Sequence, residues 1–226
     1  MKYSRLLTFI LYALLAPAAV ISNSSAGYFK RVQPSQFAGR AQASLRYKID
    51  AGQSKFMARA FSGGALWFKG HDHFVAVRDF SGNVQLTPGS VSPASLQMTV
   101  KADSLVETRD AFTEPQKQII NKELREIVLE TAKYPEITFK SAEVKIKPFK
   151  GGQFQASVGG DLTLHGVTRH ITIPVDVALS ADALRARGEF TVRRSDYNVK
   201  ATSAVHGLIR VRDKIKFTFD IVARPG

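Results

Sequence analysis

The sequence contains no cysteine and only one tryptophan among its 226 residues. Without cysteine the chain cannot form disulfides, thiolate zinc sites or iron–sulfur clusters, and it has neither a cysteine nucleophile nor a lipidated cysteine. It also lacks a Gly-x-Ser-x-Gly elbow and a Gly-x-x-x-x-Gly-Lys-Ser phosphate loop, and its serines are scattered through predicted turns. These absences argue against an enzyme and favour a binding protein.

Acidic residues are few: 19 Asp and Glu stand against 32 Lys and Arg, a formal net charge of +13. Removing residues 1–26, which carry two basic residues and no acid, lowers this charge by two. Such a surface attracts polyanions, anionic lipid headgroups and acidic envelope polymers alike. Nucleic-acid binding needs aromatic residues between the basic ones, whereas the row of Arg185, Arg187 and Arg193 contains Glu189 and no aromatic residue. We therefore expect no nucleic-acid partner.

The first 26 residues have the order of a secretory signal peptide. Lys2 and Arg5 precede an apolar run over residues 6–21, and Ser24 and Ala26 have the spacing of a signal-peptidase site. The run has 16 residues, whereas a membrane span needs about 20. An uncleaved N-terminal anchor is the alternative. We expect an exported protein, periplasmic or extracellular.

Residues 27–44 are polar and rich in Gly, Pro, Gln and Ser, which predicts a flexible lead-in, and residues 45–226 form the predicted domain. Within this domain, apolar and polar residues alternate in long runs. Such alternation predicts antiparallel strands with one apolar and one wet face, and the spacing gives about eight of them. The apolar positions are Leu96, Met98, Val100 and Ala102; Phe154, Ala156, Val158, Gly160, Leu162 and Leu164; Ile171, Ile173, Val175, Val177 and Leu179; Leu184, Ala186, Gly188, Phe190 and Val192; and Ile215, Phe217, Phe219 and Ile221.

Glycines punctuate this pattern in two ways. Lys150-Gly151-Gly152 predicts a hairpin tip, and Ser81-Gly82-Asn83 predicts a bend. Gly160 and Gly188 stand at apolar positions, where a strand can coil sharply enough to close a small barrel. The pattern therefore predicts a mainly β antiparallel barrel of about eight strands.

One segment, residues 113–130, follows helical spacing instead. Thr113 and Gln116 resemble a capping box, Pro115 suits a first turn, and apolar residues recur at helical intervals up to Val128. The helix should end before Pro135. One amphipathic helix among strands most economically covers a barrel mouth.

An outer-membrane barrel with an apolar outer face is an alternative for such strands. One tryptophan and six tyrosines are too few for two aromatic girdles, and the helical insertion is hard to place in that architecture. A soluble-type barrel is therefore favoured.

Several stretches resemble the YceI-like polyisoprenoid-binding family. They are YKID at 47–50, FSGNV at 80–84, KYPEITFKS at 133–141, GDLTLHGVT at 160–168 and RSDY at 194–197. The resemblance spans residues 45–223. It implies an eight-stranded, lipocalin-like barrel whose pocket holds an isoprenoid tail, such as a quinone side chain or polyprenyl phosphate. It also implies export, no assigned catalytic residues and no required cofactor.

The inward faces of the strands supply the candidate pocket. Alternation alone equally predicts a barrel filled by its own side chains, and it is the resemblance that favours a cavity. The candidate ligand-binding residues are Val84, Leu86, Leu96, Met98, Val100, Phe154, Val158, Leu162, Leu164, Ile171, Ile173, Phe190, Val192, Phe217 and Phe219.

Basic residues near strand ends are candidates for binding the headgroup of such a ligand. They are Arg169, Arg193 and Arg194, because arginine offers paired donors to a phosphate. The alternative is a solvated basic face. Contact with a membrane surface and a homodimer are both left open by the sequence.

Gly70-His71-Asp72-His73 departs from the family pattern and suggests a second function, a metal site at the barrel mouth. His71 and His73 would share one side of a strand, and imidazole suits zinc or copper. A third ligand would have to be His165, His170 or His206. Otherwise these histidines are hydrogen-bonded turn residues, and His165 is predicted to bond neighbouring backbone.

Overall fold

A computed structural model of the chain describes residues 44–87, 90–204, 206 and 208–226. The predicted signal peptide at 1–26 and, apart from residue 44, the predicted lead-in at 27–44 lie outside the described residues. The described residues cover the predicted domain with short gaps.

Eleven strands are described, and eight of them close into an antiparallel barrel, which confirms the predicted fold class. The circuit is β1–β3–β4–β6–β7–β8–β9–β11, and β11 pairs with β1 to close it. Three short strands, β2, β5 and β10, extend the sheet beside the barrel. The bounds are β1 Leu45–Gly63, β2 His73–Val77, β3 Phe80–Thr87, β4 Ser90–Lys101, β5 Leu105–Glu107, β6 Glu136–Pro148, β7 Gln153–Leu164, β8 Val167–Leu179, β9 Leu184–Arg193, β10 Ser203–Ala204 and β11 Ile209–Pro225.

The alternating sequence separates an apolar interior from a charged exterior. On the outer face, the Asp220 carboxylate accepts hydrogen bonds from the guanidinium groups of Arg185, at 2.6 Å, and Arg187, at 3.0 Å. On the same two strands, Lys216 pairs with Glu189 at 2.7 Å. These cross-strand ion pairs lie on the solvent-exposed face, and the intervening apolar residues of β9 and β11 point inward.

Two interior glycines make room for phenylalanine rings. A Cβ at Gly160 would lie 2.7 Å from the ring of Phe139, and a Cβ at Gly188 would lie 2.7 Å from the ring of Phe219. Since neither approach is sterically allowed, glycine at these positions lets neighbouring strands coil tightly around the interior.

The predicted bend at Ser81-Gly82-Asn83 is wrong, because these residues lie inside β3. A Cβ at Gly82 would lie 2.5 Å from the carbonyl oxygen of Gln97 and 2.7 Å from the Ile49 side chain. The glycine thus marks close packing within the sheet rather than a turn. The predicted hairpin tip is confirmed: Gly151 and Gly152 have positive φ angles of 60° and 76° between β6 and β7.

The helical segment consists of α1, Glu114–Glu123, followed by one π-helical turn over Leu124–Val128. The predicted capping box forms, since the Thr113 N–H donates to the Gln116 side-chain oxygen at 2.9 Å. Glu130, with a φ of 46°, ends the segment before Pro135. In the described part of the chain, no helix combines the length and hydropathy that crossing a bilayer requires.

We call the end of the barrel next to α1 the helix end, and the end with the Gly151–Gly152 hairpin tip the far end. Two side-chain hydrogen bonds fasten the helical segment at the helix end. The Asn121 side-chain oxygen accepts from the backbone N–H of Glu107 in β5 at 2.7 Å. The His165 Nε2 donates to the Glu130 carboxylate at 2.8 Å, from the turn between β7 and β8.

Candidate functional site

The inward-facing side chains of the barrel enclose a cavity of about 190 Å³, which we call the inner cavity. Among the described residues, its lining is apolar except for Ser95 and Thr138 and includes no charged residue. A cavity with such walls is suited to a hydrocarbon chain, because its walls offer a buried polar group very few hydrogen-bond partners.

The predicted ligand-binding residues lie around this space. Of the fifteen, only Val192 lies elsewhere, in the second cavity described below. That they bind a ligand stays a prediction. The fourteen that line the inner cavity are Val84, Leu86, Leu96, Met98, Val100, Phe154, Val158, Leu162, Leu164, Ile171, Ile173, Phe190, Phe217 and Phe219.

A second space of about 450 Å³, the mouth cavity, lies at the helix end. Ile120, Leu124 and Val128 of the helical segment form one wall of it. The two cavities share four lining residues, Leu105, Ile137, Leu164 and Phe217, so they adjoin. The mouth cavity therefore lies between the helix end and the inner cavity, with these four side chains forming the boundary that the two spaces share.

The mouth cavity is strongly basic, unlike the inner cavity. Lys69, Arg194, Lys200 and Arg210 line it, and Glu123 supplies the one carboxylate among the described lining residues. A negatively charged group would find net attraction there.

Of the three predicted headgroup arginines, only Arg194 lines a cavity. Its Nη1 donates to the Val199 carbonyl at 3.0 Å, while its Nε is buried without a partner in the described part of the chain. Arg193 lies on the outer face, 3.8 Å from the Asp213 carboxylate, and Arg169 donates to the Asp196 carbonyl at 3.2 Å. Both therefore belong to a solvated basic face, which was the alternative to a headgroup site.

Lys69, Lys200 and Arg210 were missed from the sequence. Lys69 ends a 3₁₀ turn after β1, Lys200 lies in the loop before β10, and Arg210 is the second residue of β11, paired with Gly63 and Ser203. Lys69 and Lys200 lie outside the strands and carry no periodic signal, and alternation in β11 gives the face of Arg210 but not its place at the mouth.

His71 and His73 also line the mouth cavity, on either side of the β2 boundary. The His73 ring stacks on Phe112 with centroids 5.3 Å apart, and the His71 ring meets Phe112 edge-on at 5.6 Å. The GHDH departure from the family pattern is thus part of the mouth.

His73 is held in place by a buried carboxylate. Its Nδ1 lies 2.7 Å from Glu107 Oε2, and Glu107 Oε1 accepts from the backbone amides of Phe74, Thr108 and Arg109 at 2.8 to 3.1 Å. Burial raises the pKa of the Glu107 carboxyl, but the hydrogen bonds from His73 and the amides outweigh it and hold that pKa below its usual value. Because the ionised carboxylate only accepts, His73 must carry its proton on Nδ1.

The metal site at His71 and His73 stays a prediction for which the structure supplies no third ligand. No group of three or more His, Asp or Glu side chains able to hold a metal ion occurs among the described residues. His170 pairs with Asp161 at 3.1 Å, and His165 with Glu130. The prediction that His165 bonds neighbouring backbone is wrong: its partner is the Glu130 side chain, because the helical segment folds back over the turn.

Comparison with known proteins gives a consistent result. The YceI-like domain profile matches residues 47–223. Protein YceI of Escherichia coli O6:H1 is 30% identical over 172 residues, which cover 73% of this chain and 81% of that protein. A UPF0312 protein of Pseudomonas putida is 35% identical over 136 residues, covering 60% and 62% of the two chains.

Solved structures share the fold at lower sequence identity. BcnA of Burkholderia cenocepacia superposes with a TM-score of 0.58 at 23% identity, over 77% of this chain and 98% of that one. A polyisoprenoid binding domain of Saccharophagus degradans, described as implicated in plant cell wall breakdown, gives 0.57 at 18% identity, over 80% and 99%.

Proposed function

We propose, since this chain belongs to the YceI-like domain family, that it is an exported, non-enzymatic protein that carries or stores a long-chain isoprenoid-type amphiphile in its barrel. The observation that carries the proposal is the pair of adjoining cavities, one uncharged and one basic. A structural neighbour described as a polyisoprenoid binding domain supports the ligand class.

The tail of the ligand belongs in the inner cavity. Each methylene moved from water into such a space contributes about 0.8 kcal/mol. This hydrophobic contribution requires no polar contact, so the length and shape of the ligand's hydrocarbon tail matter more than polar substituents on it.

The headgroup belongs in the mouth cavity. The buried, unpartnered Nε of Arg194 and the neighbouring Lys69, Lys200 and Arg210 favour an anionic group such as a phosphate over a neutral quinone ring. A polyprenyl phosphate therefore fits better than a quinone.

Export is part of the same proposal and rests on the order of charge, apolar run and small residues in residues 1–26. Fractionating cells of the native source and sequencing the mature N-terminus tests it. A mature chain that begins after Ala26 outside the cytoplasm is expected, and a cytoplasmic chain that keeps Met1 contradicts export.

The ligand is tested by extracting protein purified from its native source with organic solvent and analysing the extract by mass spectrometry. A long-chain amphiphile is expected, and the emptied protein should take up added polyprenyl phosphate. Repeated extracts without such a molecule, together with no uptake of polyprenyl phosphate or quinone, would remove the proposal.

The headgroup is tested by comparing a polyprenyl phosphate with the polyprenol of equal length. Arg194→Met should reduce the preference for the phosphate by roughly tenfold, the effect of losing a charge-assisted hydrogen-bond donor. Arg193→Met, one residue away but outside both cavities, is the matched control and should keep the preference. Equal preference in Arg194→Met and the parent protein would contradict a phosphate at this place.

A further inference from the structure

Exposed apolar side chains are concentrated at the helix end. Seven large apolar residues are exposed among the described residues, and five of them lie within two residues of a residue that lines the mouth cavity. These five are Trp67, Phe68, Ile119, Ile127 and Leu208, whereas Leu45 and Phe149 belong to the far end.

Three of the five lie on adjacent turns, and we call Trp67, Phe68 and Leu208 the rim patch. The side chains of Trp67 and Phe68 are 53% and 63% exposed, with ring centroids 6.4 Å apart, and Leu208 is 43% exposed. The Leu66 N–H donates to the Leu208 carbonyl at 2.9 Å, which joins the two turns. Neighbouring exposed aromatic rings of this size mark an interaction surface rather than ordinary packing.

The rim patch borders the opening of the mouth cavity. Lys69, directly after Phe68, and Ile209, directly after Leu208, both line that cavity. Whatever covers the rim patch therefore also faces the opening through which a ligand enters.

Unpaired cations accompany the rim patch. Lys69, Arg210 and Lys200 form no ion pair and no side-chain hydrogen bond with another described residue. An anionic lipid surface satisfies both features, because tryptophan and phenylalanine insert at the headgroup boundary while lysine and arginine meet lipid phosphates. A second copy of this chain fits less well, since it would bring the same positive charges together.

We propose that the rim patch docks the mouth of the barrel onto an anionic lipid bilayer, so that an amphiphile passes between the bilayer and the cavities without crossing water. The proposal rests on the proposed function for the identity of the cargo, but the docking itself is a property of this surface. It assigns the bilayer, and not another protein, as the partner of the helix end.

The single tryptophan makes docking directly observable, because Trp67 reports only on the rim patch. Its emission should shift to shorter wavelength with vesicles of phosphatidylglycerol and phosphatidylcholine, and brominated acyl chains should quench it. Vesicles of phosphatidylcholine alone should give a weaker response. No shift and no quenching with the anionic vesicles would overturn the proposal.

Vesicle co-sedimentation of variants locates the surface. The double variant Trp67→Ser, Phe68→Ser should bind anionic vesicles at least roughly tenfold more weakly, and Lys69→Gln or Arg210→Gln roughly fivefold. Phe149→Ser is the matched control, since Phe149 is 59% exposed and precedes Lys150 at the far end. Loss of binding in Phe149→Ser but not in the double variant would overturn the proposal.

Failure of docking is distinguishable from failure of the proposed function. The double variant should still take up polyprenyl phosphate from detergent micelles, because both rings lie outside the cavity walls. If no variant or parent protein takes up the lipid while vesicle binding persists, the cargo is wrong and docking stands. A shift of Trp67 emission with protein concentration, without vesicles, would assign the rim patch to self-association and overturn docking.

Discussion

At the scale of single residues, the inner cavity separates two effects of enlarging a side chain. Val158→Phe or Leu162→Phe should lower uptake of polyprenyl phosphate strongly while changing the melting temperature little, because the new ring enters space that the ligand would occupy. In a filled core the same change costs about 1–3 kcal/mol of stability. Uptake is measured by mass spectrometry and stability by thermal unfolding.

Ser157→Phe is the control for these variants, because Ser157 is the neighbour of Val158 on the opposite face of β7 and lines neither cavity. It should leave uptake unchanged. A loss of about 1–3 kcal/mol of stability in Val158→Phe, with no loss of polyprenyl phosphate uptake, would show that the inner cavity is not the ligand site.

Glu107 predicts a pH dependence of folding. Its pKa in the folded protein lies below the usual value, so the ionised carboxylate stabilises the fold above the ordinary glutamate pKa. This stabilisation should be lost as the pH falls from about 5 towards the lowered pKa. Urea unfolding at a series of pH values should therefore show that the free energy of unfolding falls more steeply with decreasing pH in the parent protein than in Glu107→Gln.

The Glu107→Gln variant should also be less stable at neutral pH, by about 3 kcal/mol, because a buried set of donors loses its charged acceptor. Glu143→Gln is the control, since its carboxylate is exposed and pairs only with Lys145. Parallel pH profiles for the parent and Glu107→Gln would contradict this role of Glu107.

Prediction from the sequence at this scale succeeded where periodicity applies. In β7, β8 and β9, alternation predicted which of two consecutive side chains points inward. Val158 and Ile173, for example, line the interior as predicted. It failed for Lys69 and Arg210, because alternation does not tell which end of the barrel a residue occupies. It also failed for the partner of His165, which depends on the path of the helical segment.

At the scale of elements, the helical segment forms one wall of the mouth cavity, and we call it the lid. Two contacts hold it: Asn121 with the backbone of β5, and Glu130 with His165. His165 and Glu130 both adopt positive φ angles, 51° and 46°, and their side chains meet at 2.8 Å. Tyr134 packs against the His165 ring with centroids 4.3 Å apart. The contact therefore pins the end of the segment to the turn between β7 and β8.

Breaking this contact should loosen the lid. His165→Ala should speed ligand release and raise amide hydrogen exchange over residues 120–130, because it removes a side-chain hydrogen bond worth about 0.5–1.5 kcal/mol. His170→Ala is the control, since His170 forms an exposed pair with Asp161. Unchanged exchange over residues 120–130 in His165→Ala would contradict the lid contact.

The elements themselves were largely predictable. The capping box gave the start of α1, and Pro135 bounded its end, but the change to a π-helical turn at Leu124 has no signal in the sequence. Gly82 was misread because a glycine in a strand and a glycine in a bend look alike until the neighbouring Ile49 and Gln97 are placed.

At the scale of the whole molecule, ligand binding and folding are linked. A ligand that binds only the closed barrel adds about 2.7 kcal/mol of stability at one hundred times its dissociation constant. Protein stripped of lipid should therefore melt at a lower temperature than protein as purified, and added polyprenyl phosphate should restore it. Equal melting temperatures of the stripped, reloaded and untreated protein would contradict occupation of the barrel.

The amino-acid composition predicted a positively charged surface but not which kind of anionic partner it binds. The net charge of +13 predicted affinity for anions without choosing among them. The proposal of a lipid surface rather than another polyanion rests on the arrangement of cations around one opening, next to Trp67 and Phe68, which the sequence alone does not give.

Closure of the barrel by β1 and β11 fixes when the interior comes into existence. The register that pairs Tyr47 with Pro225 makes the earliest and latest strands of the domain hydrogen-bonding neighbours. During vectorial synthesis the nascent chain can form the hairpins of β6 to β9 early, yet it encloses no volume until β11 has emerged. On the proposed function, the barrel can therefore acquire its cargo only after translation of the domain is complete. A polypeptide interrupted before Ile209 presents two open sheet edges to its neighbours.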